Sequence, residues 1–369
     1  INTRAFGESI ADVIPHAVGF INGTQEMRIA ACAKHFPGHG DTSVDSHIAM
    51  PVLDHNRERL TSVELVPFLA AVRAGVKSIM VAHLSVPSFD PSGVPASLSK
   101  PIISVLRERM AYKGVIVTDA LDMHAITKTY SSGEAALRAI SAGCDIALIP
   151  EDPFAALDAL KEAERNGTLP SEQITASTER VRSLKEWCGL YERKANRHDP
   201  VSLEAHGMMA LKAATNAVRI DGDESLLPLE QYNHVSCFAL LQNDDIDPAS
   251  SFFHYLAQVY EKNTDIAYMT SAITDDEIAE YKKGIEGTEC CLFAVFARAR
   301  SYSGSVQLDP RLLDAVTRIA YGKPSIAVFF GNPYLAETFP AAVNIKCYSD
   351  SAASRGAACL ALSGKSLTL

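Results

Sequence analysis

Several common signatures are missing from this sequence of 369 residues, and each absence excludes a class of protein. No stretch approaches the roughly 18 consecutive apolar residues that a transmembrane helix needs. Neither a G-x-G-x-x-G pattern nor a phosphate-binding loop occurs, which excludes the commonest nucleotide-binding folds. The eight cysteines show no C-x-x-C or mixed Cys/His spacing. We therefore expect reduced thiols rather than a disulfide framework or a structural zinc site.

Basic charge is also scarce. The net charge of −10 disfavours nucleic acid as a partner. The composition, 47% hydrophobic and 21% charged, is that of a globular protein with hydrophobic cores. The chain begins at Ile1 without an initiator Met or a signal-peptide pattern, so we expect its true beginning to be absent. The sequence alone specifies neither a cellular compartment nor an oligomeric state.

From about residue 25 to about residue 160, short apolar runs alternate with helical patterns. The runs are rich in β-branched residues and apolar almost throughout, as strands buried on both faces are. They are MRIAACAKH, GVKSIMVAHL, YKGVIVTDAL and AGCDIALIP. This alternation predicts a parallel α/β sheet.

Polar residues lie at the C-terminal ends of these runs, namely Lys34, His35, His83 and Asp119. A (β/α)8 barrel builds its active site from the segments at that end of its strands. An open, doubly wound sheet binds ligands at the same end. The position of these residues therefore predicts a functional site at the C-terminal edge of the sheet. It does not distinguish a barrel from an open sheet.

A second α/β region follows a helical, charged stretch and the linker-like segment YERKANRHDPVS. We predict a first domain over residues 1–195 and a second over residues 196–369, the latter a smaller α/β/α sandwich around a parallel sheet. The second region has no cluster of catalytic-looking residues, so packing against the first is its simplest role. Its predicted strands are NAVRI, HVSCFALL, CCLFAVFA, PSIAVFFG and AVNIKCYS.

The segment KHFPGHGDTSVDSH, residues 34–47, has the side chains for either metal binding or acid/base chemistry. His35 and His39 have the spacing of two ligands on one helix face. Pro37 and the neighbouring glycines oppose a helix there, which weakens the metal interpretation. Asp45 and His47 are close enough in sequence for their side chains to meet, and a carboxylate raises the pKa of a nearby imidazole. The alternative is a surface ion pair without function.

The run VIVTDALDM places Asp119 at the end of an apolar strand. A carboxylate in that position can be a nucleophile, a base or a metal ligand. It can also simply cap a helix N-terminus, a role that suits Asp122 better because Asp122 lies beyond the strand end.

Together these motifs resemble the glycoside hydrolase family 3 β-N-acetylhexosaminidases. The resemblance is carried by KHFPGHGDT followed by DSH, with VTDALDM downstream in the right order. It extends to NTRAFGE, AGCDIALIP and the SLLPL segment, and it is weakest over the last 150 residues or so.

The resemblance implies catalytic roles for three residues. Asp119 is expected to be the nucleophile that forms a covalent glycosyl-enzyme, and His47 the general acid/base with Asp45 as its partner. Retaining glycosidases use a carboxylate nucleophile and a separate general acid/base as their catalytic residues. Such a reaction requires no metal and no organic cofactor.

The resemblance also implies substrate-binding residues. Lys34, His35 and Arg4 are expected to bind sugar hydroxyls, and His83 to line the pocket. His39 and Asp41 are expected to shape the loop rather than touch the substrate.

The chain departs from the resembled family in barrel length. A barrel domain typically needs about 250 residues, whereas the first region here has under 200. We therefore expect the C-terminal half of a (β/α)8 barrel, with four parallel strands, in a fragment of a longer protein.

The predicted function is a retaining exo-β-N-acetylglucosaminidase acting on peptidoglycan fragments or chitooligosaccharides. A phosphorylase of the same family is the nearest alternative, because a neutral His repels phosphate less than a carboxylate does. A metal-dependent hydrolase using His35, His39 and Asp45, a β-glucosidase and an inactive fragment are the others.

Overall fold

The computed structural model describes residues 4–42, 50–191, 203–242, 245–298 and 307–365, and the chain divides near residue 196 into two units. The first unit contains three parallel strands in the order β1 (Cys32–Phe36), β2 (Ser78–Val81) and β3 (Val115–Thr118). Residues from all three strands are buried in one hydrophobic core. All three strands come from runs in which the sequence predicts strands.

Helices precede, connect and follow these strands. Helix α1 (Ile10–Glu26) begins at Ser9, whose hydroxyl accepts a hydrogen bond from the backbone N–H of Asp12. Between β1 and β2, a π-helical turn over Leu60–Glu64 separates the short helix α2 from α3. The remaining bounds in this unit are α2 (Arg57–Arg59), α3 (Leu65–Arg73), α4 (Lys100–Ser104), α5 (His124–Thr127), α6 (Ser132–Ala142), α7 (Pro153–Arg165) and α8 (Ser171–Trp187).

The prediction of a fourth strand in the run AGCDIALIP is wrong. This segment makes a single parallel bridge, between Ile146 and Val117. Two backbone N–H groups of the would-be ladder are bonded to side chains instead. The carboxylate of Asp145 accepts from the N–H of Ile116 at 2.8 Å, and the hydroxyl of Thr118 accepts from the N–H of Leu148 at 2.9 Å. The segment still lies beside β3, but side chains replace part of the strand pairing.

Asp145 is also the centre of a buried ion-pair network, since its side chain has no solvent exposure. One oxygen accepts from the Nη2 of Arg107 at 2.5 Å. The other accepts from the Nε of Arg180 at 2.9 Å and the hydroxyl of Ser177 at 2.7 Å. Because Ser177 and Arg180 belong to α8, this carboxylate joins that helix to the sheet.

We expect Asp145→Ala to be among the most destabilising substitutions in the first unit. It leaves two partly buried guanidinium groups and the N–H of Ile116 without their acceptor. Removing one partner of a buried ion pair costs about 3–5 kcal/mol. Urea denaturation followed by circular dichroism measures the loss. As a control, Glu134→Gln breaks the exposed pair with Arg138 on α6 and should cost at most about 1 kcal/mol. Equal losses of unfolding free energy in the two variants would contradict the proposed contribution of the Asp145 network to stability.

The second unit is built on a six-stranded sheet with the order β4-β9-β8-β7-β5-β6. Five strands are parallel, and β4 runs antiparallel to β9 at one edge, so the prediction of an entirely parallel sheet is wrong for β4. The bounds are β4 (Arg219–Gly222), β5 (His234–Leu241), β6 (Asn263–Met269), β7 (Cys290–Ala297), β8 (Ser325–Gly331) and β9 (Val343–Lys346).

Helices cover both faces of this sheet. Helices α10 and α13 share one hydrophobic core with half of the strand side chains, and α11 and α12 share another with the alternate side chains. The bounds are α9 (Leu203–Ala217), α10 (Asp247–Val259), α11 (Asp275–Gly284), α12 (Pro310–Ile319) and α13 (Ala352–Leu362). In the ranges that the structure describes, no helix combines the length and apolarity needed to cross a bilayer.

Candidate active site

The carboxyl ends of β1, β2 and β3 bring several predicted site residues to one edge of the first unit. His35 lies within β1, and Asp119 directly follows β3. The Nε2 of His35 is 3.8 Å from the Oδ2 of Asp119, and both side chains are largely buried. Because parallel strands end on the same side of a sheet, residues far apart in sequence meet here.

The two carboxylate oxygens of Asp119 have different environments. Oδ1 accepts a hydrogen bond from the backbone N–H of Ala120 at 2.9 Å. Oδ2 faces the ring of His35 at a distance longer than a hydrogen bond. The backbone N–H of Asp119 donates to the carbonyl of Val81 at 2.8 Å, which fixes the residue to the end of β2. One oxygen is therefore held by the backbone, and the other faces the ring of His35.

The imidazole of His35 is neutral near pH 7. Burial lowers its pKa to about 4, and although the charge of Asp119 acts to raise it, the positive charges of Lys34, His39 and Arg4 act in the same direction as burial. A neutral imidazole has one N–H donor and one acceptor nitrogen. It suits the binding of a sugar hydroxyl beside Asp119, in line with the predicted role.

Arg4 and Lys34 bring positive charge to the same edge. Both side chains are exposed, and Lys34 precedes His35 in β1. Burial is the main reason that the pKa of His39 is lowered, and the charge of Arg4 lowers it further, as it does that of His35. Arg4 thus lies near both histidines. Asp119, His35, Lys34 and Arg4, four of the site residues predicted from the sequence, thus lie at the same edge of the first unit.

His39 and Asp41 are bonded within the loop region that follows β1. The Nδ1 of His39 lies 2.9 Å from the hydroxyl of Thr42, and its ring packs edge-on against that of His35. The Oδ2 of Asp41 lies 2.8 Å from the Nε2 of His55. These contacts fit the expectation that both residues shape the loop.

Among the described residues, Asp41, His55 and Glu64 are the one group whose donor atoms are close enough to hold a metal ion. A cationic side chain already lies between its carboxylates. The Nη2 of Arg59 is 3.1 Å from the Oε1 of Glu64 and 3.9 Å from the Oδ2 of Asp41. This guanidinium supplies the positive charge that an ion would bring, so we interpret the group as an ion-pair network. His35 and His39 do not belong to it.

Asp45 and His47, the predicted acid/base pair, lie in residues 43–49, outside the described residues. Their roles stay predictions.

His83 occupies a different place from the one expected of a pocket-lining residue. Its side chain is fully buried. Its Nδ1 is 2.7 Å from the hydroxyl of Ser97, and its Nε2 is 2.8 Å from the carbonyl of Ala120. With both ring nitrogens engaged inside the protein, the predicted contact with a sugar has no support in this geometry. Sequence reasoning also missed Ser97 and the Ala120 peptide, because neither a serine nor a backbone group has a sequence signature.

A cavity of about 180 Å³ lies among the segments that follow the three strands. Lys128 and Tyr130, from the segment beyond β3, line it. Its other lining residues include Met50, Pro95 and His124.

Comparison with known proteins identifies the first unit. Residues 1–184 match the glycosyl hydrolase family 3 N-terminal domain. This part of the chain belongs to glycosyl hydrolase family 3. The family's α/β fold is also found in solved relatives. A family 3 β-N-acetylglucosaminidase from Paenibacillus sp. str. FPU-7 superposes with a TM-score of 0.86 at 26% identity, covering 99% of this chain and 71% of that one.

Several similar curated proteins are named β-hexosaminidases. The chain is 28% identical to β-hexosaminidase A of Pseudoalteromonas piscicida over 374 aligned residues, 92% of this chain and 62% of that protein. It is 37% identical to β-hexosaminidase LpqI of Mycobacterium tuberculosis over 196 residues, 50% of this chain and 49% of that protein. The chain thus spans between about half and 62% of the length of these relatives.

Proposed function

We propose that the protein is a retaining exo-β-N-acetylglucosaminidase that releases terminal β-linked GlcNAc from peptidoglycan fragments or chitooligosaccharides. The observation that carries this proposal is the pairing of Asp119 with His35 at the strand ends of a family 3 domain. The names of the relatives, β-hexosaminidase and β-N-acetylglucosaminidase, support the choice of sugar.

In the proposed first step, the Oδ2 of Asp119 attacks the anomeric carbon. The bond to the leaving oxygen breaks, and His47 gives that oxygen its proton. The product is an ester between Asp119 and the sugar, as in other retaining glycosidases. Oδ2 is the attacking atom because Oδ1 is already bonded to the N–H of Ala120.

In the proposed second step, His47 takes a proton from water, and the water oxygen attacks the anomeric carbon. Cleavage of the ester returns the carboxylate of Asp119 and releases GlcNAc with its original configuration. Asp45 keeps the imidazole oriented and raises its pKa. Lys34, His35 and Arg4 bind the sugar hydroxyls. No step needs a metal or an organic cofactor.

The leaving-group end of the substrate has a candidate place in the cavity beside α5. Tyr130, whose ring also contacts the guanidinium of Arg138, and Lys128 are among its lining residues. The cavity, at about 180 Å³, is small for a ligand site, so we assign it only part of a carbohydrate substrate.

Product analysis tests the proposed function. We expect the natural full-length protein to release β-GlcNAc from N,N′-diacetylchitobiose at a rate that does not depend on phosphate. Proton NMR identifies the first anomer formed. Accumulation of GlcNAc-1-phosphate in phosphate buffer would instead establish the phosphorylase. Loss of activity on chelation, restored by zinc, would favour the metal-dependent alternative.

A further inference from the structure

The fully buried His83 belongs to a short chain of hydrogen bonds that ends at Asp119. Ser97, which is also fully buried, contacts one ring nitrogen, and the carbonyl of Ala120 contacts the other. The N–H of the same Ala120 donates to Oδ1 of Asp119 at 2.9 Å. Both backbone polar groups of one residue are thus used, one by the histidine and one by the carboxylate.

The partners of His83 determine its tautomer. A carbonyl oxygen only accepts hydrogen bonds, so Nε2 must carry the proton that is donated to Ala120. Burial lowers the pKa of His83, which keeps the ring neutral and leaves Nδ1 as an acceptor. The hydroxyl of Ser97 therefore donates to Nδ1. Each hydrogen bond between Ser97, His83 and Ala120 therefore has a defined donor and acceptor.

Backbone contacts fix the residues on both sides of Ala120. The N–H of Asp119 donates to Val81, and the N–H of Leu121 donates to Leu148, each at 2.8 Å. The carbonyl of Ala120 has one further donor, the N–H of Met123 at 3.2 Å, which is longer than the bond from His83. The peptide group that joins Ala120 to Leu121 is thus held at its carbonyl by the imidazole of His83 and at its N–H by Leu148.

We infer that His83 is a positioning residue for the nucleophile. By holding Ala120, it keeps the N–H of that residue on Oδ1 of Asp119, which leaves Oδ2, beside His35, as the oxygen that attacks. This inference rests on the proposed function, because it assumes that Asp119 attacks a sugar. It assigns His83 a task that needs no contact with substrate.

Two amide substitutions distinguish the two hydrogen bonds that the imidazole of His83 makes. In His83→Gln, the amide nitrogen lies as many bonds from Cβ as Nε2 does, so it can still donate to Ala120. In His83→Asn, the amide oxygen corresponds to Nδ1, so it keeps the contact with Ser97 and loses the one with Ala120. Each variant loses one buried hydrogen bond, and we expect similar melting temperatures.

Activity should differ between these matched variants. We expect His83→Asn to lower kcat on a nitrophenyl GlcNAc glycoside by about 100-fold with little change in KM, since a nucleophile displaced by about 1 Å reacts that much more slowly. His83→Gln should keep most of its kcat. Equal losses in the two variants, or an unchanged kcat in His83→Asn, would overturn the inference.

A structural measurement tests the same inference without activity. Nitrogen-15 NMR of labelled histidine should show the Nε2–H tautomer for His83. The amide proton of Ala120 should be protected from exchange in the wild type and in His83→Gln, and it should lose protection in His83→Asn. If the wild type cleaves no GlcNAc glycoside, the proposed function fails. The inference about the hydrogen-bond chain fails if protection is the same in both variants, whether or not the protein cleaves a GlcNAc glycoside.

Discussion

Replacing Asp119 with asparagine should lower the turnover of every GlcNAc glycoside by about four orders of magnitude or more. Both chemical steps pass through an ester of this carboxylate, so no substrate escapes the loss. Asparagine keeps an oxygen that can accept from the N–H of Ala120, and the local backbone is therefore preserved. Single-turnover kinetics with a nitrophenyl glycoside measures the effect on the first step directly.

Asp122 provides a matched control for this substitution. It is a carboxylate three residues further along the same segment, and its side chain is exposed. Asp122→Asn should leave kcat within the experimental scatter. If the two variants lost activity equally, the segment as a whole rather than the carboxylate of Asp119 would be responsible.

Stereochemistry adds a second criterion for the role of Asp119. In Asp119→Ala, a small anion such as azide can occupy the space of the missing carboxylate and attack the anomeric carbon once. We expect a glycosyl azide of inverted, α configuration, because only one displacement has taken place. A β-azide from this variant would show that another group forms the covalent intermediate.

The sequence predicted strands well where both faces of the strand are buried. In the second unit, β5 and β7 are buried along almost their whole length, and their bounds match the predicted runs. Strand β6 was missed because it lies at a sheet edge and begins with three polar residues, and Ile266 and Tyr268 in it are about 40% exposed. Apolar runs indicate central strands, and they are a poor guide to edges.

Side-chain hydrogen bonds explain the strand that the sequence overpredicted. The run AGCDIALIP is apolar enough for a strand, but Asp145 lies within it. A buried carboxylate must be hydrogen-bonded, and Asp145 is bonded to two arginines and to the backbone N–H of Ile116. That N–H is consequently not used for pairing between strands. Composition did not reveal this outcome, because the arginines come from segments far away in sequence.

For the candidate site, the sequence predicted one edge of the sheet but not the depth of each side chain. His35 and His83 both lie at strand ends, yet His35 reaches Asp119 while His83 is enclosed. Beyond the end of a strand, the direction in which a side chain points depends on the path of the following loop. Position in sequence therefore predicted the edge at which His35 and Asp119 meet, whereas three-dimensional contacts were needed to show that His83 is enclosed.

The effect of replacing His47 should depend on the leaving group. A general acid contributes roughly 10²–10⁴-fold, so His47→Ala should lower the turnover of a natural disaccharide by about that range. A nitrophenol leaves without protonation, and the first step on its glycoside should therefore lose much less. Burst kinetics is the appropriate measurement, because the second step still needs a base and becomes limiting.

Azide should partly rescue His47→Ala on the nitrophenyl substrate, since it attacks the glycosyl-enzyme without a base. The product should be the β-azide, because two displacements have then occurred, in contrast to the α-azide from Asp119→Ala. Asp45→Ala should cost less than His47→Ala and move the alkaline limb of the pH profile to lower pH, because the imidazole loses the carboxylate that raises its pKa. Equal losses for good and poor leaving groups, with no azide product, would assign His47 a structural role and revive a metal-based interpretation of the loop.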